Sequence, residues 1–390
     1  MELYVHFPFC IQKCRYCDFT SYPGMESRME EYTEALLREA GLRRSEITEP
    51  IRTVYFGGGT PSLLPEKLMG HFIQSLKEII PLSEVREWTV EANPGTLTSP
   101  WLDQMLSLGV NRLSLGAQAF QPRLLSLLGR IHDAEAIGDA VRLARTAGFQ
   151  NLSLDLIFGL PTQTLEDWRQ TLEMAFALRP EHLSAYGLIP EEGTPIKKDL
   201  DEGRLTLPEP EEEREMYSLL RAMARQHSFS QYEISNFSLP GFECRHNLGY
   251  WFQEQYLGLG VSAASMTRLS RDASGRLRSY HRCTNTDSLA RYLSGISSGC
   301  QDRREETEIL PREAQFETLM LSLRTSAGVS DRFFQQFHGL SISDVPGLTE
   351  RLATWQERGL LRAEKEVWTL TERGMDLQNT VLSDLLELFE

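Results

Sequence analysis

Short apolar or β-branched runs alternate with longer amphipathic stretches over residues 1–235. The runs LYVH (3–6), TVYF (53–56), WTVEA (88–92), RLSLG (112–116), NLSLDLIFG (151–159) and HLSAYG (182–187) predict strands, each closed by glycine, proline or a polar loop. Between them, Met29–Leu42, Pro65–Ile79, Ala134–Ala147 and Thr164–Leu178 carry the apolar spacing of helices that bury one face. Six such units in series predict an α/β fold. Its parallel strands would form a partial (β/α)6 barrel wrapped by helices, with chemistry at the C-terminal strand ends.

Beyond the sixth unit the pattern changes. The charged, proline-containing stretch 191–214 reads as a solvated surface connection before a helix that ends near His227. Residues 236–304 form a connecting segment with mixed aromatic, glycine and polar positions. From 305 to 390 the periodicity is mostly helical, and ERGLLRAEKEVWTLTERGMDL reads as a helix end, a two-stranded wing and a last helix. That predicts a small C-terminal domain of winged-helix type. Such domains often bind DNA, but no basic stripe is present, so packing or a protein partner is the better expectation.

Composition narrows the class. Of 390 residues, 40 are Lys or Arg and 55 are Asp or Glu, a formal net charge of −15. Phosphate neutralisation needs clustered cations, so nucleic acid is not expected as the main partner. No apolar run is long enough to cross a bilayer, and MELYVHFPFC does not read as a secretory leader, so a cytoplasmic protein is expected. Six cysteines would allow three disulfides, yet Cys10, Cys14 and Cys17 fall in one short loop. In a reducing compartment that spacing points to metal.

The unusual residues follow the strands in register. The cysteine loop comes after the first, GGGTP (57–61) after the second, Glu91 with Asn93 and Pro94 after the third, and Gln118 after the fourth. Asp155 lies in the fifth and Tyr186 ends the sixth, so all point toward one mouth of the barrel. Three thiolates suit a [4Fe–4S] cluster with one iron left open for a ligand. A closed Cys3His zinc site completed by His6 is the competing reading. GGGTP is neither a P-loop nor a dinucleotide fingerprint, and its glycines let backbone approach a small ligand.

These motifs resemble those of the radical S-adenosylmethionine (SAM) enzymes, and within them the coproporphyrinogen III oxidase-like branch. The likeness rests on Tyr4-x-His6-x-Pro8-Phe9-Cys10 running into Cys14 and Cys17, then GGGTP, VEANP, SLGAQ, LGRIH, LDLIFGLP, LSAYGLIP, HNLGYW and LGLG. It implies a [4Fe–4S] cluster held by Cys10, Cys14 and Cys17, with SAM on its unique iron. It further implies SAM contacts from Tyr4, Tyr16, Gly58, Gly59, Thr60, Glu91, Gln118, Arg130 and Asp155, and an electron donor for the cluster.

Two departures from the oxidase stand out. Its pattern has a further cysteine where this chain has Phe19, and its site is covered by an N-terminal segment, whereas the first strand here is expected at Leu3. Both match the sister HemW family of haem chaperones. That likeness implies haem as ligand, handed on to an acceptor protein, with His246 of HNLGYW (246–251) as haem contact and Cys244 as a second candidate ligand. Tyr250 and Trp251 would stack on the macrocycle. Residue types alone read HNLGYW more readily as a packed turn, and the family likeness is what favours haem contact. Coproporphyrinogen III dehydrogenation to protoporphyrinogen IX is the alternative activity. Cys283 and Cys300 receive no role.

Overall fold

The structure is a computed structural model describing residues 1–390. A single sheet of twelve strands organises the chain. We number them β1 (Glu2–Phe7), β2 (Thr53–Gly58), β3 (Glu87–Ala92), β4 (Arg112–Gln118), β5 (Leu152–Phe158), β6 (His182–Gly187), β7 (Ser230–Gln231), β8 (Asn236–Ser238), β9 (Tyr256–Leu259), β10 (Ala264–Arg271), β11 (Leu277–Asn285) and β12 (Arg303–Ile309). Their spatial order is β12-β11-β10-β9-β1-β2-β3-β4-β5-β6-β8-β7. Neighbours among β1 to β6 are all parallel, as the βα alternation requires.

Leu113 and Leu115 of β4 are buried in the main core, whereas Arg112, Ser114, Gly116 and Gln118 line the concave interior. Between Gly116 and Gln118 the register with β5 slips, and Gln118 adopts φ of 60°. This bulge turns the Gln118 side chain toward the cavity.

Helices Met29–Leu42, Glu66–Ile79, Ala134–Ala147 and Leu165–Ala177 fall on the expected stretches. The segment 191–214 departs from expectation. It contains the helix Pro195–Asp201, whose Ile196 is fully buried and whose backbone donates to the Arg15 carbonyl at 3.0 Å. Asp199 pairs with Arg15 in the same loop. This segment braces the cysteine loop rather than running free over the surface.

The connecting segment also differs, because β9 adds in parallel to β1 and β10 to β12 continue the sheet in antiparallel sense. Glu39, fully buried on the first helix, secures this extension. It accepts from Gly260 N (2.8 Å), Asn285 Nδ2 (2.7 Å) and the Tyr292 hydroxyl (2.7 Å). Since β12 runs to Ile309, the C-terminal unit's own elements begin with helix Pro311–Leu323. That unit pairs Leu361–Glu364 with Val367–Leu370 as a wing and packs a separate core around Phe334, Leu352, Trp355 and Leu385. No helix is long and apolar enough to cross a membrane.

Candidate cofactor and ligand cavity

A cavity of about 410 Å³ opens at the C-terminal ends of the parallel strands. Its size is that of a small-molecule site. Cys10, Cys14 and Cys17 line it together with Tyr16, Gly58, Gly59, Thr60, Glu91, Gln118, Arg130 and Asp155. Of the sequence-derived set, Tyr4 stands behind the wall. Its ring stacks on Tyr55 at 6.2 Å and its hydroxyl meets His6 Nδ1 at 3.0 Å.

The glycines answer to close backbone approach. A Cβ on Gly59 would lie 2.6 Å from the Phe9 carbonyl oxygen, and one on Gly58, at φ +108°, would strike the His6 ring at 2.4 Å. The second loop therefore sits tightly under the first, bringing Thr60 Oγ1 within 3.7 Å of Cys10 Sγ. From the other side, one Arg130 nitrogen reaches Cys14 Sγ at 3.4 Å, and its neighbour bonds Asn93 Oδ1 (2.5 Å) and the Gly116 carbonyl (2.7 Å). Asn93 in turn donates to Thr60 Oγ1 at 2.8 Å.

All three thiols are free and partly exposed to the cavity. Burial pushes the Cys17 thiol up to about 11 and raises that of Cys10, so metal is the natural means of holding them as thiolates. The residues fit a cubane cluster. Hydrogen-bond donors face two sulfurs, and each sulfur can take its own iron. The zinc alternative fits poorly. His6 Nε2 is 2.8 Å from the Thr20 carbonyl and Nδ1 is 3.0 Å from the Tyr4 hydroxyl, so neither ring nitrogen is free to complete a Cys3His site.

Deeper in the cavity lie two carboxylates served by neutral donors. Glu91 accepts from the Tyr55 hydroxyl (2.8 Å) and Gly58 N (3.0 Å). Burial still pushes it up to about 7. Asp155, raised by burial, accepts from Ser114 Oγ at 3.0 Å and Ser153 Oγ at 3.3 Å. Tyr55, Arg112, Ser114, Ser184 and Asn247 belong to the same walls and were not singled out from the sequence. The period-two pattern of β4, polar at 112 and 114 between leucines, carried the signal for two of them.

HNLGYW is placed differently from expectation. It forms the short helix Arg245–Trp251, which packs against β2 at the N-terminal end of the barrel strands. Glu87 caps this helix, accepting from Arg245 N (2.9 Å) and His246 N (3.1 Å), while Cys244 Sγ lies 3.5 Å from Glu87 Oε1. His246 is buried with Nδ1 at 2.6 Å from Thr53 Oγ1 and Nε2 at 2.9 Å from the Tyr250 hydroxyl, its ring stacked on Tyr55. Burial lowers it to about 3, so the ring is neutral. A Cβ on Gly249 would meet the Glu2 side chain at 2.8 Å.

The motif is thus a plug for the barrel floor. His246 has no free nitrogen for haem iron, Cys244 is fully buried, and Tyr250 is engaged with His246 and Tyr256 rather than presented as a stacking face. Asn247 alone of the HNLGYW residues lines the cavity.

At the opposite, open end the cavity is bordered by apolar side chains that water reaches: Phe19 is 57% exposed, Tyr186 43% and Ile189 70%. Large apolar residues grouped at a cavity mouth mark a surface that binds something.

Comparison with known proteins accords with this geometry. The Radical SAM superfamily profile matches residues 4–175, and that of the HemN C-terminal domain matches residues 309–377. The heme chaperone HemW of Bacillus subtilis is 36% identical, with 98% of each chain covered. The Escherichia coli protein of the same name is 32% identical over 100% of this chain and 98% of its own. The mitochondrial radical S-adenosyl methionine domain-containing protein 1 of Bos taurus is 32% identical over 98% of this chain and 87% of its own. Among solved structures, the coproporphyrinogen III oxidase HemN of Escherichia coli superposes with a TM-score of 0.82 at 23% identity, covering 100% of this chain and 89% of that one. At that identity the likeness speaks to the fold.

Proposed function

The chain belongs to the HemW family within the radical SAM superfamily, and from that membership we propose that it is a haem chaperone, binding haem and passing it to an acceptor protein. Cys10, Cys14 and Cys17, which line the cavity, would hold a [4Fe–4S] cluster. When bound, the cluster supplies a single electron, delivered by an electron donor, and an open iron for the amine and carboxylate of SAM.

The chain's own residues then have distinct tasks. Thr60 and Arg130 face the Cys10 and Cys14 sulfurs and so stabilise their thiolate form. Arg130 also stands where the SAM carboxylate would meet a guanidinium. Glu91 and Asp155 offer acceptors for ammonium or ribose hydroxyls. The Gly58–Gly59 loop lets backbone approach the ligand, and Tyr16 and Gln118 close the remaining wall.

One observation carries the haem reading: the exposed apolar mouth of Phe19, Tyr186 and Ile189 beside the cysteine loop. A flat macrocycle laid there covers apolar surface while its edge stays open, as a ligand that must be handed on requires. Phe19 stands where the oxidase pattern has a further cysteine, which supports a chaperone over an oxidative decarboxylase.

The test uses full-length protein reconstituted anaerobically with iron and sulfide. Haem is titrated by its Soret band, and coproporphyrinogen III is supplied separately with SAM and reductant. Stoichiometric haem binding, transfer to an apo-acceptor and no protoporphyrinogen IX are expected. Decarboxylated product would overturn the proposal.

A further inference from the structure

Arg112 is 1% exposed, yet it lines the cavity. Its Nε is buried without a partner, and its guanidinium makes no ion pair within the protein. A buried cation left in this state is costly, so its surroundings need explaining. Three carboxylates lie close enough to feel its charge: Glu87, Glu91 and Asp155. None is bonded to it. Glu87 is taken by the helix N-terminus at 245–246, Glu91 by Tyr55 and Gly58, and Asp155 by Ser114 and Ser153. With its neighbours saturated by neutral donors, the guanidinium fork is left facing the cavity.

Its position separates it from the expected SAM contacts. Arg112 starts β4, opposite Thr89, whereas Asp155 pairs with Gly116 four residues further along the same strand. Arg130, the guanidinium at the mouth, comes from the loop after helix Pro122–Leu128 and is anchored to Asn93 and Gly116. The barrel therefore holds one arginine beside the cysteines and a second toward the floor, where Asn247 also borders the cavity.

We propose that the cavity floor is a carboxylate-binding subsite, in which Arg112 takes both oxygens of the group and Asn247 flanks it as a neutral donor. The fork geometry of guanidinium suits a carboxylate, and a monoanion balances one cation. A phosphate dianion would face Glu91 and Asp155 with an excess of like charge. Two sources share this chemistry: a propionate of a tetrapyrrole reaching down from the mouth, or a free small carboxylic acid. The first rests on the haem reading above, whereas the second does not.

The experiment takes the cluster-loaded full chain and its Arg112→Gln and Arg112→Lys variants. Propionate is titrated calorimetrically, and haem is compared with its dimethyl ester by Soret absorbance. Losing a charge-assisted bidentate contact corresponds to roughly a tenfold or larger drop in affinity. Propionate should therefore bind wild type at least about tenfold tighter than Arg112→Gln, with Arg112→Lys between. If the source is a tetrapyrrole, haem will exceed its ester by a similar factor in wild type and match it in Arg112→Gln. Equal haem and ester affinities with the propionate difference intact assign the subsite to a free acid. Equal propionate affinity in wild type and Arg112→Gln would overturn the proposal. The ester comparison needs no variant, so misfolding of Arg112→Gln does not blunt the test, and failure of haem to bind wild type would reject the haem reading alone.

Discussion

Replacing Glu91 by Gln should stabilise the ligand-free protein and weaken SAM binding, two effects of opposite sign from one atom. Burial raises the Glu91 carboxyl from its ordinary 4.5 to about 7, so between those values the folded chain keeps a proton that the unfolded chain has lost. Raising pH through this window strips that proton and removes stability, about 3 kcal/mol once the group is fully ionised in the fold. Glutamine imitates the protonated acid and cannot ionise. The variant should match wild type near pH 4.5 and exceed it by about 3 kcal/mol at pH 8, or about 4 °C in Tm for a chain this long. Glu233 and Glu2, raised by burial to about 7 and about 8, lose stability in the same direction, but identically in both proteins. SAM affinity tests the second effect: in wild type it should rise as pH approaches 7, changing up to tenfold per pH unit below it, and in Glu91→Gln it should be low and flat. Thermal unfolding and SAM titration at pH 5, 6, 7 and 8 read both. A Tm offset between the two proteins that does not change across this range would refute the assignment of a buried, functionally ionised carboxylate.

Single Cys10→Ala, Cys14→Ala and Cys17→Ala variants should each lose the broad visible absorption and most of the iron of reconstituted protein, while leaving far-ultraviolet dichroism unchanged. His246→Ala should lower stability by about 2–4 kcal/mol, because it removes a packed ring and two buried hydrogen bonds. Haem affinity of the folded fraction should remain within twofold of wild type, and a selective loss of haem binding at unchanged Tm would reject the floor-plug assignment. Phe19→Ser and Ile189→Ser should each weaken haem binding roughly tenfold or more, since covering such a side chain contributes about 1.5–3 kcal/mol. Soret titration reads both.

The barrel was legible in the sequence because its strands and helices carry regular patterns that local chemistry dictates. Helices Met29–Leu42 and Ala134–Ala147 fall where their apolar spacing begins and ends. Strands β9 to β12 were not legible. They lie in a stretch interrupted by loops, and much of their stability comes from pairing with β1 and from the buried Glu39 network, neither of which leaves a local trace. The stretch 191–214 misled for a related reason. Its charges suggested solvent, whereas Asp199 uses one of them to hold Arg15 of the cysteine loop.

HNLGYW shows the same limit at the level of a site. A histidine between Cys244 and the pair Tyr250–Trp251 has residue types that suit a haem ligand but more often make a packed turn. What separates them is the hydrogen-bonding ledge supplied by Thr53 and the helix cap supplied by Glu87, two residues far away in sequence. Closing the floor this way puts Asn247 and the unpaired Arg112 inside a polar chamber, and leaves Phe19, Tyr186 and Ile189 as an apolar collar at its open end. The two poles differ in what they can release. A charged group bound at the enclosed floor leaves only by surrendering charge-assisted bonds in a low-dielectric site, whereas a macrocycle at the collar exchanges one apolar surface for another as soon as an acceptor offers it. On the proposed haem function, the collar rather than the HNLGYW helix is therefore where handover would begin.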